Sequence, residues 1–90
     1  MPACEITISN KLGLHARAAA KFVRLASSHT CQIKIGRSPD SLVDGKNIMS
    51  VMMLAAGLGT QLHLATEGER AEQALQELVA LVEDKFGEGQ

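Results

Sequence analysis

Tryptophan and tyrosine are absent from this chain, and phenylalanine occurs only twice in 90 residues. The stacking platforms that single-strand nucleic-acid binders use are therefore missing. Neither sign of charge is in excess. Nine Lys and Arg stand against ten Asp and Glu, a formal net charge of −1, and the broad basic footprint of a nucleic-acid partner is lacking. No apolar run approaches the roughly 20 residues that span a bilayer, and no charged-then-apolar leader stands before Glu5. Membrane insertion is not expected. Cys4 and Cys31 lack CxxC spacing and are read as reduced thiols of a cytoplasmic protein. Joined with His15, His29 and His63 they make no recognisable ligand spacing, so no metal site is expected.

What is present has the composition of an ordinary soluble globular domain, 46% hydrophobic and 21% charged. Residues 1–90 make a single domain with a modest core and little room for a deep cleft. Cys4 to Ile8 alternates apolar and polar residues, several β-branched, and predicts a half-buried strand. Ser9 to Leu14 is a loop. From Ala16 the period becomes helical, with Ala19, Phe22, Val23 and Ala26 on one face, and Ser27 to Thr30 ends that helix. Cys31 to Ile35 alternates again. Gly36 to Asp40 is a turn, and Ser41 to Val43 makes a short return strand. Asn47 is a good N-cap for a short helix over Ile48 to Leu54. Gln61 to Thr66 is a fourth strand.

A last helix runs from about Glu69 to Lys85, with Ala71, Ala74, Leu75, Leu78, Leu81 and Val82 at core spacing. Thr66 and Glu69 have capping-box spacing, with Gly68 as the alternative cap. The tail Gly87 to Gln90 is expected to fray. The order β-α-β-β-α-β-α, with alternating strands, points to an α+β fold: a mainly antiparallel sheet with helices on one face.

Chemistry concentrates at one joint, Gly13-Leu14-His15-Ala16-Arg17. A histidine stands where a loop gives way to an alanine-rich helix. First-turn amides have no intrahelical partner, and the helix dipole adds partial positive charge there. Such an end is prepared for an anion. Arg17 contributes a fixed cationic fork suited to phosphate oxygens. A nucleophilic imidazole in this setting suggests a histidine that is itself phosphorylated. His29, in a helix-ending loop, and His63, facing away from its strand's apolar side, are read as structural, as is a solvated face of Glu67, Glu69, Glu72 and Glu77.

These residues carry a family likeness. The segment from Gly13 through the Ala-rich helix, Lys46-Asn47-Ile48-Met49-Ser50-Val51-Met52-Met53-Leu54, and Thr66-Glu67-Gly68-Glu69 together resemble HPr, the histidine phosphocarrier family of the bacterial phosphoenolpyruvate-dependent phosphotransferase system. The resemblance implies an open-faced β-sandwich of four antiparallel strands and three helices. It implies a non-enzymatic carrier that accepts a phosphoryl group from enzyme I on the ring Nδ1 of His15, with Ala16 and Arg17 at the phosphate, and passes it to a IIA-type protein. It needs no cofactor, and a monomer is expected. The partner surface would lie on the first two helices, at Ala20, Arg24, Ile48, Met49 and Met52. Met suits surfaces that meet several partners.

Two residues depart from the family pattern. Ala18 stands where proline usually follows the motif arginine, which restores one amide N–H. Asn47 stands where many relatives carry a serine that a dedicated kinase phosphorylates, so no such switch is expected at this position. That absence, with the stretch Asn10 to Arg17, is similar to the NPr-like, nitrogen-related branch of the family rather than the sugar-uptake branch. A non-phosphorylated binding module on the same fold is the alternative in function.

Overall fold

The computed structural model describes residues 2–90 and has the expected element order. The strands are β1 (Ala3–Thr7), β2 (Gln32–Gly36), β3 (Leu42–Asp44) and β4 (Gln61–Glu67). The helices are α1 (Ala16–Ser27), α2 (Ile48–Met52) and α3 (Ala71–Glu83), followed by one 3₁₀ turn, Lys85–Gly87. The strands form one sheet in the order β1-β4-β2-β3, every pair antiparallel. Register puts Ile6 opposite Leu62 and Ile35 opposite Leu64. Because side chains alternate across a strand, these residues share one face, and all are buried. Glu5, Gln32 and Lys34, one step out of phase, face solvent.

The helical layer closes that apolar face. Ala18, Ala19, Phe22 and Ala26 of α1 are fully buried, as are Ala74 and Leu78 of α3. Small residues let the α1 backbone approach closely, and Phe22 fills the remaining depth. The short α2 packs on α1 and β3 and buries only Val51. Cys31 is buried and Cys4 half-buried; both are free thiols. Burial, with the Glu83 carboxylate nearby, pushes the Cys4 thiol up.

The strands shift by one residue at their ends and α3 stops at Glu83 rather than Lys85; three further differences from the sequence expectation each have a local reason. The second helix stops at Met52 rather than Leu54: Ala55 takes a left-handed φ of 50°, and Arg37 donates from Nε to Leu54 O and from Nη2 to Ala55 O, both at 3.0 Å. These bonds satisfy carbonyls that the helix leaves open. The third helix begins at Ala71 rather than Glu69, because Gly68 (φ 118°) and Arg70 (φ 58°) are left-handed. Thr66 does not cap it. Its buried hydroxyl donates to Ala71 O at 2.7 Å. Finally, the chain after α3 does not fray. Lys85, Phe86 and Gly87 are all left-handed, and Phe86 is driven fully into the core.

Candidate functional site

The loop ahead of α1 is held from two sides. Gly13 has φ +68°, and a Cβ there would lie 2.6 Å from Ala56 O and 2.7 Å from Gly57 Cα. Only glycine meets both demands. Leu14 N donates to Ala56 O at 2.7 Å, tying the loop to the connection between α2 and β4. Asn10 is wholly buried, and its Nδ2 donates to Gly13 O at 2.8 Å.

His15 is then the N-cap of α1, with extended backbone (φ −75°, ψ −179°). Its ring replaces the usual Ser or Asp oxygen: Nδ1 accepts from Arg17 N at 3.3 Å, a long bond. On the other side of the ring, Nε2 bonds the Glu88 carboxylate. An atom that accepts from an amide carries no proton, so Nδ1 is bare and the proton sits on Nε2, where it is donated to Glu88. The lone pair of Nδ1 therefore points at the positive end of the helix, beside the first-turn amides of Ala16, Arg17 and Ala18. Ala18, which replaces the proline of the family pattern, is wholly buried.

Arg17 is exposed, and among the described residues no carboxylate pairs with it. Arg17 borders an open groove of about 480 Å³ that Lys11, Lys21 and Glu88 also line. His15, Ala16 and Arg17 thus come together as the sequence predicts, at a shallow and accessible place. Ile48, Met49 and Met52 are exposed along α2, as is Met53 just after it, and Arg24 is exposed on α1, with Ala20 half-buried. Asn47 Oδ1 accepts from Ser50 N at 3.1 Å, so this residue caps α2 and offers no hydroxyl.

Glu88 and its supports are what sequence reasoning missed. Asn10 Nδ2 donates to Glu88 Oε1 at 2.9 Å, Lys21 Nζ donates to Phe86 O at 2.6 Å, and Lys11 N donates to Gln90 O at 2.9 Å. The Asn10 amide, and next the His15 ring, hold the Glu88 carboxyl below the usual carboxylate range. One signal was available. Phe86 lies four residues after Val82, in phase with the apolar stripe of α3, and so marks an anchor close to Glu88.

His29 and His63 stay apart from this centre. His29 Nε2 bonds Glu77 Oε1 at 2.9 Å, and His63 Nε2 lies 3.5 Å from Glu5 Oε2. Among the described residues no cluster of His, Cys, Asp or Glu could hold a metal ion. Among the described residues no helix is long and apolar enough to cross a membrane.

Residues 3–84 match the family model described as the PTS HPr component phosphorylation site. The chain is 64% identical over 90 residues to the phosphocarrier protein HPr of Pseudomonas aeruginosa, covering 100% of both chains. It is 39% identical over 84 residues to the phosphocarrier protein NPr of Shewanella violacea, covering 93% of this chain and 91% of that one. The crystal structure of HPr-C-His from Thermoanaerobacter tengcongensis superposes with a TM-score of 0.91 at 43% identity, covering 98% of each chain.

Proposed function

The chain belongs to the HPr family of phosphotransferase-system phosphocarriers, and from that premise we propose that His15 Nδ1 accepts the phosphoryl group from a phosphorylated enzyme I-type protein and gives it to a IIA-type protein. The supporting observation is the aim of the Nδ1 lone pair at the N-terminus of α1, beside an unpaired Arg17. Attack by that lone pair forms the N–P bond as the donor's bond to phosphorus breaks. Arg17 N, released from its long bond to the ring, then donates to a phosphate oxygen, together with the Ala16 amide. The guanidinium balances charge spread over the phosphoryl oxygens in flight. Phosphoryl transfer asks mainly for such positioning and charge stabilisation.

Docking is assigned to Ala20 and Arg24 of α1 with Ile48, Met49 and Met52 of α2. Three large apolar side chains exposed on so short a helix are adaptable contact area. Arg24 would meet acidic partner residues and act chiefly on the encounter rate. The carrier works as a monomer in the cytoplasm, where thiols such as Cys4 and Cys31 stay reduced.

The branch is assigned to the nitrogen-related regulatory chain, on Asn47 and on the stretch Asn10 to Arg17. The sugar-uptake chain is the alternative, and it is favoured by the higher identity to a protein named HPr than to one named NPr.

Intact-mass spectrometry after incubation with phosphoenolpyruvate and enzyme I proteins of the two branches tests both readings. One acid-labile phosphoryl group, absent in His15→Ala, is the expected result, with faster transfer from the nitrogen-related enzyme I. No phosphoryl group from either, on a folded protein, would favour a non-phosphorylated binding module. Faster transfer from the sugar-branch enzyme I would overturn the branch assignment alone.

A further inference from the structure

We propose that Glu88 is a positioning residue for His15: bound to Nε2, it keeps the ring proton there, presents Nδ1 as the reacting atom, and neutralises the positive charge that the ring acquires when Nδ1 bonds to phosphorus. The proposal rests on His15 being the phosphoryl acceptor and deepens that reading.

The placement of Glu88 is built into the fold. Glu88 lies beyond residues 3–84, the span of the family match. To reach the site, the chain must reverse after α3, and it does so through left-handed backbone at Lys85 (φ 55°), Phe86 (φ 54°) and Gly87 (φ 77°). Such a conformation is unfavourable for the two residues that are not glycine. It persists because other contacts determine it. Phe86 is 0% exposed, Lys21 holds Phe86 O, Lys11 N holds Gln90 O, and Asn10 holds Glu88 Oε1. Asn10 in turn fixes the loop that carries His15, so one buried amide sets the position of both partners. The carboxylate keeps one oxygen on Asn10 and one on the ring. Glu88 is itself largely covered, its side chain 13% exposed against 27% for His15, so solvent screens the pair only in part.

The chemistry follows from the proton's location. When Nδ1 forms its bond to phosphorus, the ring becomes a cation with its proton on Nε2. A carboxylate accepting that proton's hydrogen bond stabilises the cation as it develops, as the acid of a Ser-His-Asp triad does for its histidine. In onward transfer the N–P bond breaks and its electron pair returns to Nδ1. With Nε2 still protonated, the leaving group is neutral imidazole rather than an imidazolate anion. The proton stays on Nε2 through acceptance and release, and no further reactant is needed.

The test uses Glu88→Gln and Glu88→Ala in the full chain. Gln keeps an acceptor of nearly the same shape without the charge. Single-turnover transfer from saturating phosphorylated enzyme I is followed by intact mass, and the ring protons of His15 by long-range ¹H–¹⁵N NMR. Both variants should still take one phosphoryl group on His15, but about tenfold more slowly in Gln and at least as slowly in Ala, the lower end for loss of a charge-assisted hydrogen bond. The Nε2-bound proton of the unphosphorylated protein should move upfield and exchange faster with water. Melting temperature controls for folding, which Phe86 secures independently of the carboxylate. Transfer at the wild-type rate in Glu88→Gln would overturn the proposal while leaving His15 as acceptor. So would slowed transfer with an unchanged Nε2 proton signal, since that pattern marks a structural role. A wild-type protein that takes no phosphoryl group overturns the acceptor reading, and this proposal with it.

Discussion

His15 and His29 stand at the two ends of α1, and each sets its ring Nε2 against a glutamate, Glu88 in one case and Glu77 in the other. The pairs look alike, yet their surroundings give them opposite uses. At the N-terminal end, Nδ1 of His15 faces the Arg17 amide at the positive end of the helix, so an anion arriving at the ring finds donors and partial positive charge. At the C-terminal end, His29 follows the last carbonyls of the helix, and His29 N donates to Ala26 O at 3.2 Å. That end is negative and repels phosphate. The His29 ring on Glu77, a carboxylate that also accepts from Gln73, ties the end of α1 to α3, and the His29 carbonyl, taken by Lys46 Nζ at 2.6 Å, ties it to the segment before α2. A histidine–carboxylate pair therefore does not mark a reactive ring by itself. The helix end on which it stands decides.

The contrast can be broken in order of size. The largest effect is expected from exchanging the two histidines for alanine: His15→Ala should lose phosphoryl acceptance entirely, and His29→Ala should keep it within about twofold, the scale of a surface change remote from the chemistry. Loss in His29→Ala with the fold intact would erase the distinction between the two ends. Arg17→Ala should slow acceptance by about a hundredfold, in the range for removing one transition-state donor, while binding to enzyme I persists; stopped-flow transfer together with a binding isotherm separates the two. Phe86→Ala should lower stability by about 3–5 kcal/mol, the usual cost of emptying a buried aromatic site, in urea unfolding. It should also slow transfer, because the Glu88 segment loses its anchor.

The smallest effect concerns acid. The Gln73 amide, and next the His29 ring, hold the Glu77 carboxyl below its ordinary value of 4.5. A depressed carboxyl stabilises the folded state above the unfolded value and loses that contribution as pH falls through the folded one. Wild type and Glu77→Gln should therefore differ in unfolding midpoint at pH 7 and converge as pH falls below 4.5 through the lowered folded value. Glu88→Gln should converge in the same direction, since the Glu88 carboxyl is lowered too. A difference that persists undiminished in acid would assign the effect to packing.

Most of the fold is legible in the sequence because its elements obey their own periods. Gln32 to Ile35 of β2 alternates cleanly, and α1 and α3 carry core residues every three or four positions. The three local differences from the sequence expectation share one cause. Ala55, Arg70 and Phe86 adopt left-handed backbone without being glycine, so no local signal announces the turn. At the site, His15, Ala16 and Arg17 are legible because they are contiguous and sit at a helix start. Asn10 reads as an ordinary loop residue, and its burial comes from contacts with Gly13 and Glu88. Glu88 is the extreme case. Its contact spans 73 positions of chain, and spacing marks only the Phe86 anchor, not the left-handed reversal that carries Glu88 back to the ring. The exposed apolar residues of α2 were legible as a surplus: a helix that runs only from Ile48 to Met52 has a single buried position, Val51.

The most direct test of the central claim is long-range ¹H–¹⁵N NMR of the protein after phosphorylation by enzyme I and phosphoenolpyruvate, with ³¹P detection to locate the bonded nitrogen. Phosphorus on Nδ1 of His15, with the ring proton retained on Nε2, is the predicted result. Phosphorus on Nε2 of His15, or on His29 or His63, would contradict it.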